Sequence, residues 1–329
     1  ILDNDPASWP AQMTLAGVLR KLGRPEEAIV VLQNVVDSDH KNHRALQSLA
    51  HAFEAANQPE EALEALKRAT VAAPDDPEPW SLMGELYQKT ERPKDADRSY
   101  SEALRRDEIF IDAYVGLANT FHRMGDSKRA VSYLEEAIRI EPTNHAAWYN
   151  LGVVQDHLNL LADAEEAYRR ALELDPYHAM TYNNLGSLCN RQSRKVEAEN
   201  HFKQALKVNP HHIEAKYNLA TLLIDEKPER TVVLLREVIA SNPELVVAHH
   251  NLAAALTRID HIDEALEQHR WVADNDERSV GPLLAMASLE AKRGQKGAAR
   301  SLVKEAIGRG GDEARRRIKD DPVLQSFAN

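Results

Sequence analysis

A segment of about 34 residues recurs nine times, in register, along almost the whole chain. A chain patterned this way stacks copies of one supersecondary unit, because each copy has the same apolar face to hide and only its neighbours to hide it against. With Trp80 and Trp148 set at repeat position 4, position 8 reads Ala16, Ala50, Gly84, Ala118, Gly152, Gly186, Ala220, Ala253 and Ala287. No residue larger than alanine occurs there. Position 20 is alanine from Ala28 to Ala299 except at Thr231, and position 7 alternates only between leucine and methionine, as at Leu15 and Met83. A chain of 329 residues would ordinarily divide into two globular domains, but a stack escapes that rule, and one domain is expected.

Within each copy the apolar residues return at spacings of three and four in two blocks, which is the pattern of two amphipathic helices. The fifth copy shows it well, with Trp148, Leu151, Gly152 and Gln155 along a helix A, then Ala164, Tyr168 and Ala171 along a helix B, then Asp175-Pro176 as a stop. Gly23, Asn57, Gly125, Asn159 and Gly294 stand at position 15, where a helix ends in a left-handed residue. Two positions on, Pro25, Pro59, Pro93 and Pro228 suit the first turn of helix B, where the missing N–H has no partner to lose. The small residue at position 8 is expected where helices of adjacent hairpins cross at close range; bulk there would overpack the contact by roughly 1–3 kcal/mol.

These residues resemble the tetratricopeptide repeat family, whose pattern places Trp, Leu, Gly, Tyr, Ala, Phe or Tyr, Ala and Pro at positions 4, 7, 8, 11, 20, 24, 27 and 32. The resemblance spans residues 9 to 313, as repeats 9–42, 43–76, 77–110, 111–144, 145–178, 179–212, 213–245, 246–279 and 280–313. It implies an all-α fold, a right-handed α-solenoid of about nine helix-turn-helix units whose A helices line a concave groove. Departures are Gln12 at position 4, His269 at position 24, and Glu108, Glu277 and Gly311 in place of the last proline. The seventh repeat is one residue short before Pro228, which predicts a slight local change of superhelical angle. Upstream, "ILDNDP" reads as the end of an earlier repeat, with Pro6 in phase with Pro74, Pro142 and Pro176, so the parent protein is expected to continue before Ile1. Downstream, the pattern breaks after Gly310-Gly311, and residues 314–329 are expected to cap the array. In that cap Asp321 serves as N-cap, Pro322 as the first helical residue, and Val323, Leu324 and Phe327 pack backwards. Arg315, Arg316, Arg317 and Lys319 suit its wet face.

In such a solenoid positions 2, 5, 6, 9, 12 and 13 face the groove. Position 6 reads Asn150, Asn184, Asn218 and Asn251 in four adjacent repeats. A carboxamide offers both donor and acceptor, so a row of them can grip peptide bonds without reading side chains. The row is similar to the asparagine ladder in the repeat domain of O-linked N-acetylglucosamine transferases; the same Asn is also common across the repeat family as plain architecture. Asn183 at position 5 and Asn119 at position 9 join the candidate groove. At about 0.5–1.5 kcal/mol per hydrogen bond, four rungs supply roughly 2–6 kcal/mol, against about 8 for micromolar binding, so side-chain pockets must add the rest. Position 13 carries Lys21, Lys89, Arg123, His157, Arg191, Arg258 and Lys292. This is either a basic stripe that draws an acidic or phosphorylated segment or a set of cations complementing helix C-termini. No three consecutive repeats supply the Lys and Asn set of the family's carboxylate clamp.

A net charge of -11 disfavours general nucleic-acid binding. The single Cys189 excludes an internal disulfide and is expected to be a buried, inert thiol. The pairs His211-His212 and His249-His250 are poorly spaced for a metal, and no glycine-rich phosphate loop, nucleophile elbow or HExxH occurs. No cofactor and no catalysis of its own are therefore expected. No apolar run is long enough for a membrane span and no leader is visible. The compartment expected is the cytoplasm, with the periplasm open. The leading expectation is an interaction scaffold holding a protein or peptide partner in the groove. Two alternatives stand beside it: the substrate-recruiting arm of a larger glycosyltransferase-like enzyme, and a self-associating scaffold that uses the convex surface.

Overall fold

The computed structural model describes residues 8–276 and 279–327, so Ile1, Pro6 and Glu277 lie outside the described residues. The described residues form eighteen α-helices and a 3-10 turn, and no strand occurs among them. They cluster into two compact units, Ile1–Pro176 and Tyr177–Asn329. In the first, the A helices are α1 (Trp9–Lys21), α3 (His43–Ala55), α5 (Glu78–Lys89), α7 (Ile111–Arg123) and α9 (His145–His157). They alternate with the B helices α2 (Pro25–Ser38), α4 (Pro59–Ala72), α6 (Pro93–Arg106), α8 (Ser127–Ile140) and α10 (Leu161–Leu174). In the second, α11 (Ala179–Arg191), α13 (Ile213–Leu223), α15 (Val246–Arg258) and α17 (Gly281–Lys292) alternate with α12 (Lys195–Val208), α14 (Pro228–Ser241), α16 (Ile262–Asn275) and α18 (Lys296–Asp320). Both units are thus all-α stacks of helical hairpins.

The hairpin turns follow the expected chemistry. Gly23, Gly125 and Gly294 take positive φ, and so do Asn57 and Asn159. Glu91, Ser193 and Asp260 do the same at the same repeat position, at φ 57, 62 and 61 degrees, which residue type alone does not announce. The prolines Pro25, Pro59, Pro93 and Pro228 each begin a B helix. In the shortened seventh repeat, α13 ends at Leu223 and the chain turns through residues 224–226 without a positive φ.

The reason for a small position 8 differs from the expectation. A Cβ on Gly84, Gly152 or Gly186 would lie 2.7, 2.6 or 2.7 Å from the ring of Tyr100, Tyr168 or Phe202 respectively. Each of those rings belongs to the B helix of the same repeat, so the close approach is within a hairpin and not between adjacent ones. Tyr100 also fills the space that a Cβ on Gly116, in the following repeat, would need. Its hydroxyl donates to Gln88 Oε1 at 3.2 Å, and Gln88 Nε2 donates in turn to Gly116 O at 2.8 Å and Thr120 Oγ1 at 2.6 Å. Burial pushes the phenol well above its usual range.

The C-terminal segment closes the second unit. Gly311 (φ 52, ψ -125) breaks α18 into two helical stretches at the place where the repeat pattern stops. Its neighbour Gly310 lies against Val280 too closely for a side chain. Asp321 Oδ1 accepts the Val323 N–H at 2.8 Å, and the chain continues as a 3-10 turn, Gln325–Phe327, in place of the expected helix. Leu324 and Phe327 pack with Ala314 and Ile318 into one apolar cluster with Val280, Leu283, Met286 and Leu302. Arg315, Arg316, Arg317 and Lys319 are exposed. Among the described residues no helix is long and apolar enough to cross a membrane.

Candidate functional site

The carboxamides at position 6 are not four equal rungs. Asn218, on α13, donates its amide N–H groups to Asn183 Oδ1 at 2.9 Å and Ser187 Oγ at 3.3 Å, both on α11. Asn251, on α15, repeats the arrangement one helix on, donating to the Tyr217 hydroxyl at 3.2 Å and Thr221 Oγ1 at 3.4 Å on α13. In both cases the partners are positions 5 and 9 of the preceding A helix. The donor half of each amide is therefore spent in fixing the side chain, and the acceptor half, Oδ1, remains directed to no described group. A carboxamide read from sequence as a two-way grip becomes a fixed hydrogen-bond acceptor. Asn184 sits at the same position of α11 and exchanges a contact with Asn183, whose Nδ2 lies 3.4 Å from its Oδ1. Asn150 belongs to the other compact unit, where its amide donates to Ala146 O at 2.9 Å, one turn back on its own helix. Asn119 lies on α7 of that unit.

The cations at position 13 are largely committed as well. Lys89 makes an ion pair with Glu54 of the preceding A helix. Arg123 donates to Gln88 O at 2.9 Å, a carbonyl in the last turn of α5, which is the helix-terminus role. Arg258 holds Asp225 Oδ1 with Nη2 and Nε at 2.6 and 3.0 Å. The ring of His157 packs edge-on to His122 with centroids 4.9 Å apart, and burial, followed by His157 itself, lowers the His122 pKa. Arg191 terminates α11 as the sequence places it. Lys21 and Lys292 are exposed at the ends of α1 and α17.

Two polar groups occupy core positions: the sequence alone offers Lys216 no role and reads His249 only as half of a poorly spaced metal pair. Lys216 stands at position 4, where Trp80 and Trp148 stand elsewhere, and its buried Nζ meets Glu237 Oε2 at 2.6 Å. His249, at the same position one repeat on, stacks on Trp271 at 3.6 Å, donates Nε2–H to Pro243 O at 3.0 Å and meets Gln268 Oε1 through Nδ1 at 2.7 Å. Both its nitrogens are thus engaged in packing the repeat. Among the described residues no group of three or more His, Cys, Asp or Glu side chains is placed to hold a metal ion. Cys189 is buried and in no disulfide.

Stacked helical hairpins whose A helices carry this periodic polar row define the class: an all-α repeat protein with the fold of protein-interaction scaffolds. A model of the cilia and flagella-associated protein 70 C-terminal domain matches residues 76–281, and a tetratricopeptide repeat model matches residues 19–86. The chain belongs to the first of these families and is a tetratricopeptide repeat protein. Members of this repeat class are in general non-catalytic scaffolds. Over 88 residues, 26% of this chain and 12% of the relative, it is 33% identical to Protein NPGR2 of Arabidopsis thaliana. The solved APC/C hetero-tetramer Cut9-Hcn1 matches with a TM-score of 0.62 at 19% identity, over 78% of this chain and 51% of that one. The solved pilF of Pseudomonas aeruginosa matches with a TM-score of 0.53 at 22% identity, over 67% of this chain and 97% of that one. These two likenesses are of fold. The chain spans about an eighth of the Arabidopsis relative and half of the Cut9-Hcn1 chain.

Proposed function

We propose that this chain is a scaffold that holds an extended segment of a partner polypeptide along its A helices, with Asn184, Asn218 and Asn251 as the rungs of the second unit. The observation that carries this reading is the tethering of Asn218 and Asn251 through their amide N–H groups, which leaves two like acceptors on successive helices. An extended segment presents backbone N–H groups along one edge, and fixed acceptors meet them without an ordering cost at the moment of binding. Each bond contributes about 0.5–1.5 kcal/mol, so three rungs hold the segment in place but do not alone reach micromolar affinity.

Attraction by charge is a smaller part of the mechanism. Lys89 and Arg258 already hold carboxylates and Arg123 a helix-end carbonyl, which leaves little unbalanced positive field for an acidic partner. Binding is therefore expected to weaken by less than about threefold between 50 and 300 mM salt, where a polybasic groove would lose far more. The decisive comparison is peptide-array binding by the wild type and by the triple variant Asn184→Ala, Asn218→Ala, Asn251→Ala. A loss of at least tenfold at unchanged melting temperature is expected. Ser187→Ala with Thr221→Ala, which loosens two rungs and removes neither, is expected to fall between. Undiminished binding by the triple variant would overturn the reading.

A further inference from the structure

The row of rungs ends in a cavity. Position 6 is Asn184 on α11, Asn218 on α13 and Asn251 on α15, but on α17 it is Ala285. There, between α15 and α17, a pocket of about 360 Å³ opens, lined by Ala254, Thr257, Leu284, Ala285, Ser288 and Leu289. Ala254, Ala285 and Ser288 occupy positions 9, 6 and 9 of the two helices, and their shortness is what makes the room. Asp321 of the C-terminal segment lines the same pocket, so the cap that seals the apolar cluster also bounds this space.

The lining defines what fits. Leu284 and Leu289 give apolar walls, themselves 8% and 6% exposed. The charges around it balance: Arg258 is held by Asp225, while Lys292 and Asp321 line the pocket with opposite signs. Lining charges that balance give no net pull on a charged group, and the leucine walls favour an apolar one. The pocket still contains polar groups that a ligand can meet. Ser288 makes no hydrogen bond with a described group. The ring of His269, at 5% exposure, lines the pocket with its Nδ1 buried and unpartnered. A volume of this size has room for a large side chain and is too small for a folded element.

We propose that this cavity receives an aromatic side chain with a polar tip, a tyrosine, from the same extended segment that Asn218 and Asn251 hold; the inference rests on that reading for its context. The ring lies against Leu284 and Leu289, and the phenol reaches the Ser288 hydroxyl. A buried ring adds the affinity that backbone rungs alone lack, and it sets the register of a segment whose backbone is held without regard to sequence.

Two measurements on the full chain separate the pocket from the rungs. In the first, the Ala254 and Ala285 methyl groups are followed by NMR during titration with N-acetyltyrosinamide, N-acetylalaninamide and the glutamate and lysine analogues. Saturable shifts with the tyrosine probe alone are expected, lost in Ala285→Leu, a substitution the repeat tolerates because Leu82 holds position 6 on α5. No shift with the tyrosine probe, or stronger shifts with a charged one, would overturn the proposal whatever the rungs do. In the second, a fluorescein-labelled twelve-residue Ser/Thr/Ala peptide with one tyrosine is expected to bind at least tenfold tighter than its alanine counterpart, and Ala285→Leu is expected to erase the difference. Equal binding of the two peptides would remove the pocket and leave the ladder standing. Methyl shifts that persist while the triple Asn variant binds peptide normally would remove the ladder and leave the pocket.

Discussion

Where position 24 carries tyrosine or phenylalanine, position 8 has no Cβ: Gly84 with Tyr100, Gly152 with Tyr168, Gly186 with Phe202. Where it carries leucine, position 8 is alanine, as in Ala16 with Leu32, Ala50 with Leu66 and Ala118 with Leu134. The two columns could be read from the sequence; that they meet inside one hairpin could not, because periodicity tells which face is apolar and not which neighbour it meets. The pairing fixes the sign of a substitution. Gly186→Ala should gain about 1 kcal/mol of helix propensity and lose roughly 1–3 kcal/mol to overlap with the Phe202 ring, for a net loss in the wild type. In a Phe202→Leu background the overlap is gone and the same change should stabilise by about 1 kcal/mol. Urea denaturation of the four proteins in this cycle checks it, and a gain in both backgrounds would contradict the geometry. At His269 burial, with a smaller contribution from His250, lowers the pKa to about 4. Lys292 and Asp321 line the same pocket. The folded state refuses a proton that the unfolded state accepts near pH 6.5, so stability is fully present above that value and is lost as pH falls from about 6.5 to 4. The loss amounts to about 3 kcal/mol. His269→Leu, the residue type of Leu32 and Leu66 at this position, is expected to flatten that part of the stability profile relative to wild type.

At the scale of elements, every described hairpin except the shortened seventh turns through one left-handed residue between its helices. Glycine and asparagine announce that turn in advance. Glu91, Ser193 and Asp260 do not, and only their place in the repeat says that they adopt it. For a residue with a Cβ the conformation costs about 1 kcal/mol. Glu91 is exposed and its side chain enters no ion pair with a described residue, so Glu91→Gly should relieve the strain and lose nothing else. A rise in melting temperature of roughly 1–3 °C is expected, and a fall would show that the side chain supports the turn. Rungs and stripe were legible in the same uneven way. The row of asparagines at position 6 and of cations at position 13 stands in the sequence, but the direction of the asparagine hydrogen bonds is set by positions 5 and 9 of another helix, and the partners of the cations by positions 12 and 13. Asn218 cannot be known as an acceptor until Asn183 and Ser187 are seen to take its donors.

For the molecule as a whole, the 34-residue period announces the stacked hairpins because a stack repeats one solution. What the period does not carry are the places where the solution changes, as in the packing of Lys216 and His249 and at Ala285. Each hairpin relies on the next to cover its apolar face, so the last hairpin needs a cover of another kind. Ala314, Ile318, Leu324 and Phe327 supply it over Val280, Leu283 and Leu302. Without them that apolar face would meet water, at about 25 cal/mol for each Å² exposed, and an exposed apolar patch drives association. Removal of residues 312–327 is therefore expected to make the mass seen in light scattering rise with concentration more steeply than that of the intact chain. Hydrogen exchange should quicken in α17 and α18 and stay unchanged in α11 and α12 of the same unit, because in a one-dimensional stack damage spreads only through neighbouring hairpins. An unchanged mass together with unchanged exchange in α17 would mean that the segment is an appendage and that the ninth hairpin is stable uncovered.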